Sequence, residues 1–170
     1  YPLEIWRAIC EAGFCGVAIP EEYGGSGLGM VELAIAIESL CGGGGGSTLS
    51  QIFMLNPIFG GISLSRFASR EMRQDLLPRL ISGEMTFAMG LTEPDSGTNT
   101  LAMRSFARED GDGWLLNGQK IWITAMPQAS KILVVARTKK LEDVSRKTDG
   151  ISLFMIDTDR EGLTHTPIEK

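Results

Sequence analysis

A chain of 170 residues, 43% hydrophobic and 22% charged, can bury one good core or two small ones and has the balance of an ordinary soluble protein. Its net charge of -5 speaks against a broad nucleic-acid surface, which needs a basic stripe, and its single histidine, His165, leaves a histidine zinc site or a Ser/His/Asp triad little to work with. No stretch reaches the roughly 20 consecutive apolar residues of a membrane span.

The first element is a helix: Leu3, Ile5, Trp6, Ile9 and Cys10 recur at helical spacing, and Gly13 is a reasonable stop. Tyr1-Pro2 falls inside that pattern and residues 164–170 stop within a strand-like one, so the chain is expected to be a piece of a longer protein. Gly16-Val17-Ala18-Ile19 runs into the turn-rich Pro20-Glu21-Glu22-Tyr23-Gly24-Gly25. Residues 30–40 are apolar almost all round, with Glu32 and Glu38 as the only charges, and are expected to form a helix buried between neighbours. The glycines at 42–46, followed by Ser47-Thr48, lack the lysine and the preceding strand of a phosphate loop. They read instead as a helix connection with Ser47 or Thr48 near the next N-cap. Residues 49–67 continue as a long apolar helix that Asn56-Pro57 should kink. Residues 69–81 give a shorter amphipathic helix, with Met72, Leu76, Leu77 and Leu80 inside and Pro78 disturbing its last turn. Cys10, Cys15 and Cys41 form no Cys-x-x-Cys pair and have apolar flanks, which suits buried thiols in a reducing compartment.

At Ser82-Gly83-Glu84 the period changes from helical to alternating. Residues 87–91, 104–109, 114–116, 119–124, 131–137 and 150–157 read as strands, 163–168 as an edge strand, and the charged stretch 139–149 as a solvated loop. Helices first and strands afterwards predict an α+β chain. A helical domain is expected over 1–84 and an antiparallel, barrel-like β domain over 85–170.

Two segments of the β part carry chemistry. In Leu91-Thr92-Glu93-Pro94-Asp95-Ser96-Gly97-Thr98-Asn99 an apolar run breaks into hydrogen-bonding groups, and Pro94 forbids regular pairing. Asp95, Ser96 and Gly97 supply turn chemistry, Gly97 admits a close ligand, and Thr98 and Asn99 can both donate and accept. Taken alone, the loop is equally a plain turn between strands. In the second segment, Asn117-Gly118 is a strong signal for a type I′ hairpin, so the next strand starts at Gln119. Alternation along it puts Trp122 and Thr124 on one face, roughly 7 Å apart. An indole and a hydroxyl so placed can cover a flat conjugated ring and bond to its edge, where a core aromatic is the plainer reading of Trp122.

These two segments, in this order, resemble the acyl-CoA dehydrogenase family. The loop matches the family's T-E-P-x-x-G-[ST] pattern, the second segment its N-G-x-K-x-W-I-T pattern, and residues 14–25 read like its early G-x-x-x-P-E-x-Y-G-G segment. The resemblance implies a helical domain leading into a middle β domain, with the family's C-terminal helical bundle absent from this chain and the middle domain incomplete. It implies FAD, contacted by Met89, Leu91, Thr92, Gly97, Thr98, Trp122 and Thr124. Leu91 and Thr92 would meet the pyrimidine end, Trp122 the ring system and Thr124 the region of N5. It further implies α,β-dehydrogenation of an acyl-CoA: a base takes the proton next to the thioester while hydride leaves Cβ for the flavin, with Thr98 and Asn99 near the substrate.

In the family the base is usually a glutamate of the C-terminal helical domain, so it is expected beyond Lys170. Glu93 is expected to fix the loop, and Glu109 adjoins a turn. Thr98 and Asn99 stand where the family commonly has Ser and Asp, and Ala125 replaces a frequent Asn, so a charge is missing at the mouth of the site. Residues 51–62 are expected to line the acyl tunnel, although Gly60-Gly61 suit a close helix contact equally well. The implied partners are an acyl-CoA substrate, an electron-transfer flavoprotein as acceptor and further copies of the chain in a homo-oligomer. The expected location is a bacterial cytoplasm or a mitochondrial matrix, the former favoured. Rival readings are a related flavoenzyme, either an enoyl-CoA reductase or a flavin-dependent monooxygenase, and a non-catalytic flavin- or CoA-binding interaction protein.

Overall fold

The computed structural model describes residues 3–168; Tyr1-Pro2 and Glu169-Lys170, on which part of the expectation about the chain's ends falls, lie outside the described residues. The helical part holds α1 (Leu3–Glu11), α2 (Met30–Leu40), α3 (Gly46–Phe53), α4 (Ser63–Phe67) and α5 (Arg70–Ile81). One core cluster joins Trp6, Ile9 and Cys10 of α1 to Leu33 and Ala36 of α2 and to Leu49, Ile52 and Phe53 of α3. The all-round burial expected for α2 is not found. Leu33 and Ala36 are buried, while Met30, Val31 and Ile35 are exposed, because no other described element covers that second face.

The path from α3 to α4 is helical throughout, and a π-helical stretch, Met54–Ile62, absorbs Pro57 in place of a sharp break. Pro57 has no N–H to give to the preceding turn. The Ile52 carbonyl instead accepts from Asn56 Nδ2 at 3.0 Å, and Asn56 Oδ1 accepts from the Phe87 N–H at 2.8 Å. A buried asparagine thus repairs the helix and ties it to the first strand. Gly60 and Gly61 are buried and make close contacts: a Cβ at Gly60 would lie 2.6 Å from the Phe87 ring, and one at Gly61 3.1 Å from Ile19.

The glycine connection before α3 turns on backbone freedom alone. Gly44 and Gly46 take φ of 103° and 58°, and neither Ser47 nor Thr48 caps the helix. α5 is capped as a Ser at this position suggests, with Ser69 Oγ accepting from the Met72 N–H at 3.2 Å. Leu76, Leu77 and Leu80 are buried, but Met72, expected inside, is exposed, and Pro78 sits within the helix without ending it.

The strands are β1 (Phe87–Gly90), β2 (Phe106–Asp110), β3 (Gly113–Asn117), β4 (Lys131–Arg137) and β5 (Ile151–Asp157). β1 runs parallel to β4, with Phe87 opposite Lys131, and β2 meets the end of β4 in parallel at Phe106 and Arg137. β3 and β5 pair antiparallel with β2 and β4. The α+β division holds, and the sheet is mixed where an antiparallel one was expected. The connection from β1 to β4 contains a loop and a whole hairpin, long enough to return the chain in the same direction. Ile19, Leu64, Leu76, Leu77 and Leu80 pack with Met85 and Phe87, so helices and sheet share a core at β1.

Two expected strands do not form. Among the described residues, the segment 163–168 finds no partner strand; Pro167 lacks a ladder donor and Ile168 is exposed. Residues 119–124 are also outside the sheet, because Asn117-Gly118 does not turn. The hairpin closes earlier, with Asp110 opposite Gly113 and Gly111 at φ 61°. Gly118 is needed for a different reason: a Cβ there would lie 2.2 Å from Ser105 Oγ and 2.8 Å from its Cα.

Candidate functional site

β1 delivers Leu91 and Thr92 to the rim of the sheet, and the chain then folds on itself. The Glu93 N–H donates to the Ser96 carbonyl at 3.0 Å and the Ser96 N–H returns the bond to Glu93 at 3.1 Å, closing a tight turn around Pro94 and Asp95. Ser96 Oγ donates to the Asn99 carbonyl at 2.7 Å. This is the turn that Pro94, Asp95 and Ser96 predict.

The Glu93 side chain points inward. Its carboxylate accepts from the N–H groups of Arg104 at 2.6 Å and Ser105 at 2.9 Å, and from Lys120 Nζ at 2.8 Å. Both ends of this ion pair are 7% exposed. Lys120 Nζ also donates to the Leu91 carbonyl at 3.0 Å, and the Ile121 N–H donates to the Thr92 carbonyl at 2.9 Å. The two signature segments are therefore joined at their backbones. Burial alone would raise the Glu93 carboxyl, but the Arg104 N–H, the Lys120 ammonium and Ser105 overcome it and hold the group down to about 2. A carboxylate so engaged fixes the loop and is no general base.

Of the other candidate residues, Met89 lies on β1 opposite Leu133 and is half-buried, as are Leu91 and Thr92. Gly97, Thr98 and Asn99 are exposed at the tip of the loop. Trp122 is 69% exposed and Thr124 is exposed. The same-face pairing expected of Trp122 and Thr124 loses its basis, since strand alternation does not operate there. Trp122 has φ 58° and Ala125 has φ 61°, an uncommon conformation for any side chain and an outlier for a bulky one. The segment is a strap instead of a strand. Lys120 and Ile121 anchor it to the loop, and buried Met126 and a turn from Ala125 to Ala129 anchor its far end. Trp122 and Thr124 stand out from between these anchors. Glu109 is exposed on β2, opposite Trp114.

Three residues escape sequence reading. Lys120 lies 27 positions from Glu93, so no local spacing announces their pair. Arg137, which follows five apolar residues of β4, is 2% exposed. Its Nη2 donates to the Leu101 and Lys147 carbonyls, each at 2.7 Å, and its Nη1 to the Asp149 carbonyl at 3.2 Å. Its one visible signal is a charge closing a buried run. Asn56 is the third, read as a helix breaker and found as a clamp. Among the described residues no group of His, Cys, Asp or Glu could hold a metal ion. The recess bordered by Ala18, Pro20, Leu28, Ile62 and Arg66 lies in the helical part, away from the loop.

Residues 1–84 match the model of the acyl-CoA dehydrogenase N-terminal domain, and residues 88–170 that of the acyl-CoA dehydrogenase middle domain. Acyl-CoA dehydrogenase FadE12 of Mycobacterium tuberculosis (strain ATCC 25618 / H37Rv) is 35% identical over 166 residues, covering 98% of this chain and 41% of the relative. A glutaryl-CoA dehydrogenase from Mycobacterium smegmatis, solved in complex with FADH2, superposes with a TM-score of 0.85 at 33% identity, over 98% of this chain and 40% of that one. The prolyl acyl carrier protein oxidase AnaB superposes with a TM-score of 0.88 at 28% identity, over 98% of this chain and 43% of that one. The chain thus spans about two fifths of the length of the relatives it matches. With its residues 1–84 and 88–170 matched by these two domain models, the chain belongs to the acyl-CoA dehydrogenase family.

Proposed function

We propose that the whole protein is an FAD-dependent acyl-CoA dehydrogenase that removes a proton from Cα and a hydride from Cβ of an acyl-CoA thioester, and that this chain supplies one wall of the flavin site. The observation that carries the reading is the weld between loop and strap, which consumes the Leu91 and Thr92 carbonyls internally and leaves Trp122 and Thr124 outward. The residues present fit a flavin. An indole in a left-handed backbone, neither buried nor needed by the core, has the shape to cover a flat ring. Gly97 fits as well: a Cβ there would meet nothing nearer than Thr92 Cγ2 at 3.9 Å, so the fold itself makes no demand for glycine, whereas a ligand lying against the backbone does.

Bound FAD supplies the hydride acceptor. The protein's part is orientation and exclusion. The Thr92 and Thr124 hydroxyls, bonded to no other described residue, are free to donate to the ligand's edge, and the Trp122 ring shields that edge from water. Thr98 offers a hydroxyl to the thioester end of the substrate, with Asn99 neutral beside it. Since Glu93 is locked in its ion pair and Glu109 lies out on β2, the proton acceptor is proposed to belong to another part of the protein. An electron-transfer flavoprotein is the proposed acceptor of the electrons. The open face of α2 and the singly paired strand β3 support a homo-oligomer. Three free thiols support a reducing compartment, with a bacterial cytoplasm proposed.

The test is spectroscopic. Desalted full-length protein is expected to retain flavin absorbance and to bleach when an acyl-CoA is added without oxygen. Protein that neither retains nor takes up FAD overturns the cofactor reading, and a flavoprotein that no acyl-CoA bleaches overturns the reaction.

A further inference from the structure

Cys10, near the end of α1, and Cys15, in the turn Phe14–Gly16, take no part in the site described above. Both are free and buried, and their sulfurs lie 3.4 Å apart. Packing alone puts thiols inside a core but does not aim two of them at each other. From this contact we propose that Cys10 and Cys15 form a peroxide-oxidisable dithiol, with Cys10 as the attacking sulfur and Cys15 as the resolving one.

The sulfurs need only close from 3.4 Å to the roughly 2.05 Å of a disulfide. In the first step the Cys10 thiolate attacks one oxygen of hydrogen peroxide; the O–O bond breaks, Cys10 becomes a sulfenic acid, and hydroxide takes up the thiol's proton to leave as water. In the second, Cys15 sulfur displaces the hydroxyl of the sulfenic acid and its proton leaves with that hydroxyl as a second water. Two thiols and one peroxide give one disulfide and two waters. The roles follow from the surroundings. Cys15 is fully buried, whereas Cys10 keeps 6% exposure. The contact between the two sulfurs lowers the Cys10 thiol, while the same contact and burial push Cys15 up.

The same surroundings select the oxidant by size. Gly83 presses its bare backbone over Cys10: a Cβ at that position would lie 2.6 Å from Cys10 Sγ. With Cys10 only 6% exposed, there is no room for a glutathione adduct, and a molecule of two oxygens is the oxidant proposed because it asks for the least space. With Cys15 already in contact, the sulfenic acid meets a thiol before it meets a second peroxide, so the pair stops at the reversible disulfide and does not climb to sulfinic acid.

The experiment is peptide mapping of the full-length protein with and without millimolar hydrogen peroxide, quenched by denaturing alkylation. Phe14 lies between the two cysteines, so chymotrypsin separates them unless they are bonded. The expected result is a pair of peptides joined through Cys10 and Cys15 after peroxide, released by a reducing agent, with Cys41 alkylated throughout. With dimedone added in denaturant after the peroxide step, the variant Cys15→Ser should carry an adduct at Cys10, and Cys10→Ser none at Cys15. If wild-type peroxide-treated protein shows both thiols alkylated, or Cys10 as sulfinic acid, the dithiol is no redox site. A dimedone adduct at Cys15 in Cys10→Ser, equal to that at Cys10 in Cys15→Ser, overturns the assignment of roles.

Discussion

The Glu93 carboxylate and Lys120 ammonium are each 7% exposed, which sets how they should respond to substitution. Lys120→Met leaves a buried carboxylate with only two backbone donors, and breaking a buried pair in this way costs about 3–5 kcal/mol. Chemical denaturation should show that loss, and the double variant Glu93→Gln with Lys120→Met should recover part of it, giving a favourable coupling in the double-mutant cycle. The acid limb carries the same signature. Glu93 falls from 4.5 to about 2 on folding, so its contribution is present above the unfolded value and is lost as pH drops from about 4.5 towards 2. Glu93→Gln should flatten the stability profile in that window; an unchanged acid limb would count against the assignment. The residues of this weld are visible in the sequence, but the bond is not, because only the folded chain brings positions 93 and 120 together. Trp122 shows the converse. Its identity as the outward aromatic is legible from the motif, but its left-handed backbone defeats the alternation used to place it.

Among elements, the long helical path from α3 to α4 is the clearest case of a rule giving the location of a feature without its form. Asn56-Pro57 marks the irregularity, and what forms is a π-helical stretch whose lost backbone bond is covered by the Asn56 side chain. The same amide accepts from the Phe87 N–H. Asn56→Ala should therefore strand two buried backbone groups, at about 1–3 kcal/mol each, and lower the denaturation midpoint. Asn56→Asp keeps the Phe87 bond while losing the donor, and should be harmed through the helix alone, seen as faster exchange in Met54–Ile62 with β1 protected. The hairpin teaches a related lesson. Two glycine turns compete within a few residues, Gly111 and Gly118; the hairpin closes at Gly111, and Gly118 serves instead in a close approach to Ser105. Strand β4 is read from sequence with its bounds correct, since the apolar run 132–136 is closed at each end by a charge, Lys131 and Arg137. Residues 163–168 alternate only weakly and carry Pro167; Leu163 packs against the sheet core, but among the described residues no strand pairs with the segment, and pairing is what makes a strand.

For the molecule as a whole, helices and sheet share the cluster around Leu77, Leu80, Met85 and Phe87. That order of helices then strands is legible from the change of period at Ser82-Gly83-Glu84. The mixed direction of the sheet is not, because pairing partners lie far apart in the chain. Residues 1–170 expressed alone should bind FAD weakly and show no acyl-CoA-dependent reduction of an artificial acceptor. One wall of a site open to water weakens every electrostatic contribution within it, and loss of a general base costs on the order of 10²–10⁴-fold. Turnover comparable with the full-length protein would place the base within this chain, and Glu109 would be the first residue to replace.

The Asn56 clamp and the four residues of β1 have an evolutionary consequence. Phe87 is gripped by the helices, and Leu91-Thr92 emerges from the other end of the strand only a span of roughly 13 Å away. No flexible joint intervenes, so selection cannot tune the helical core and the ligand loop independently. A lineage that drifts at Asn56, Gly60 or Leu80 alters the pose of its loop in the same step. Compensating changes are then to be sought at the opposite end of β1, as correlated substitutions between residues that never touch.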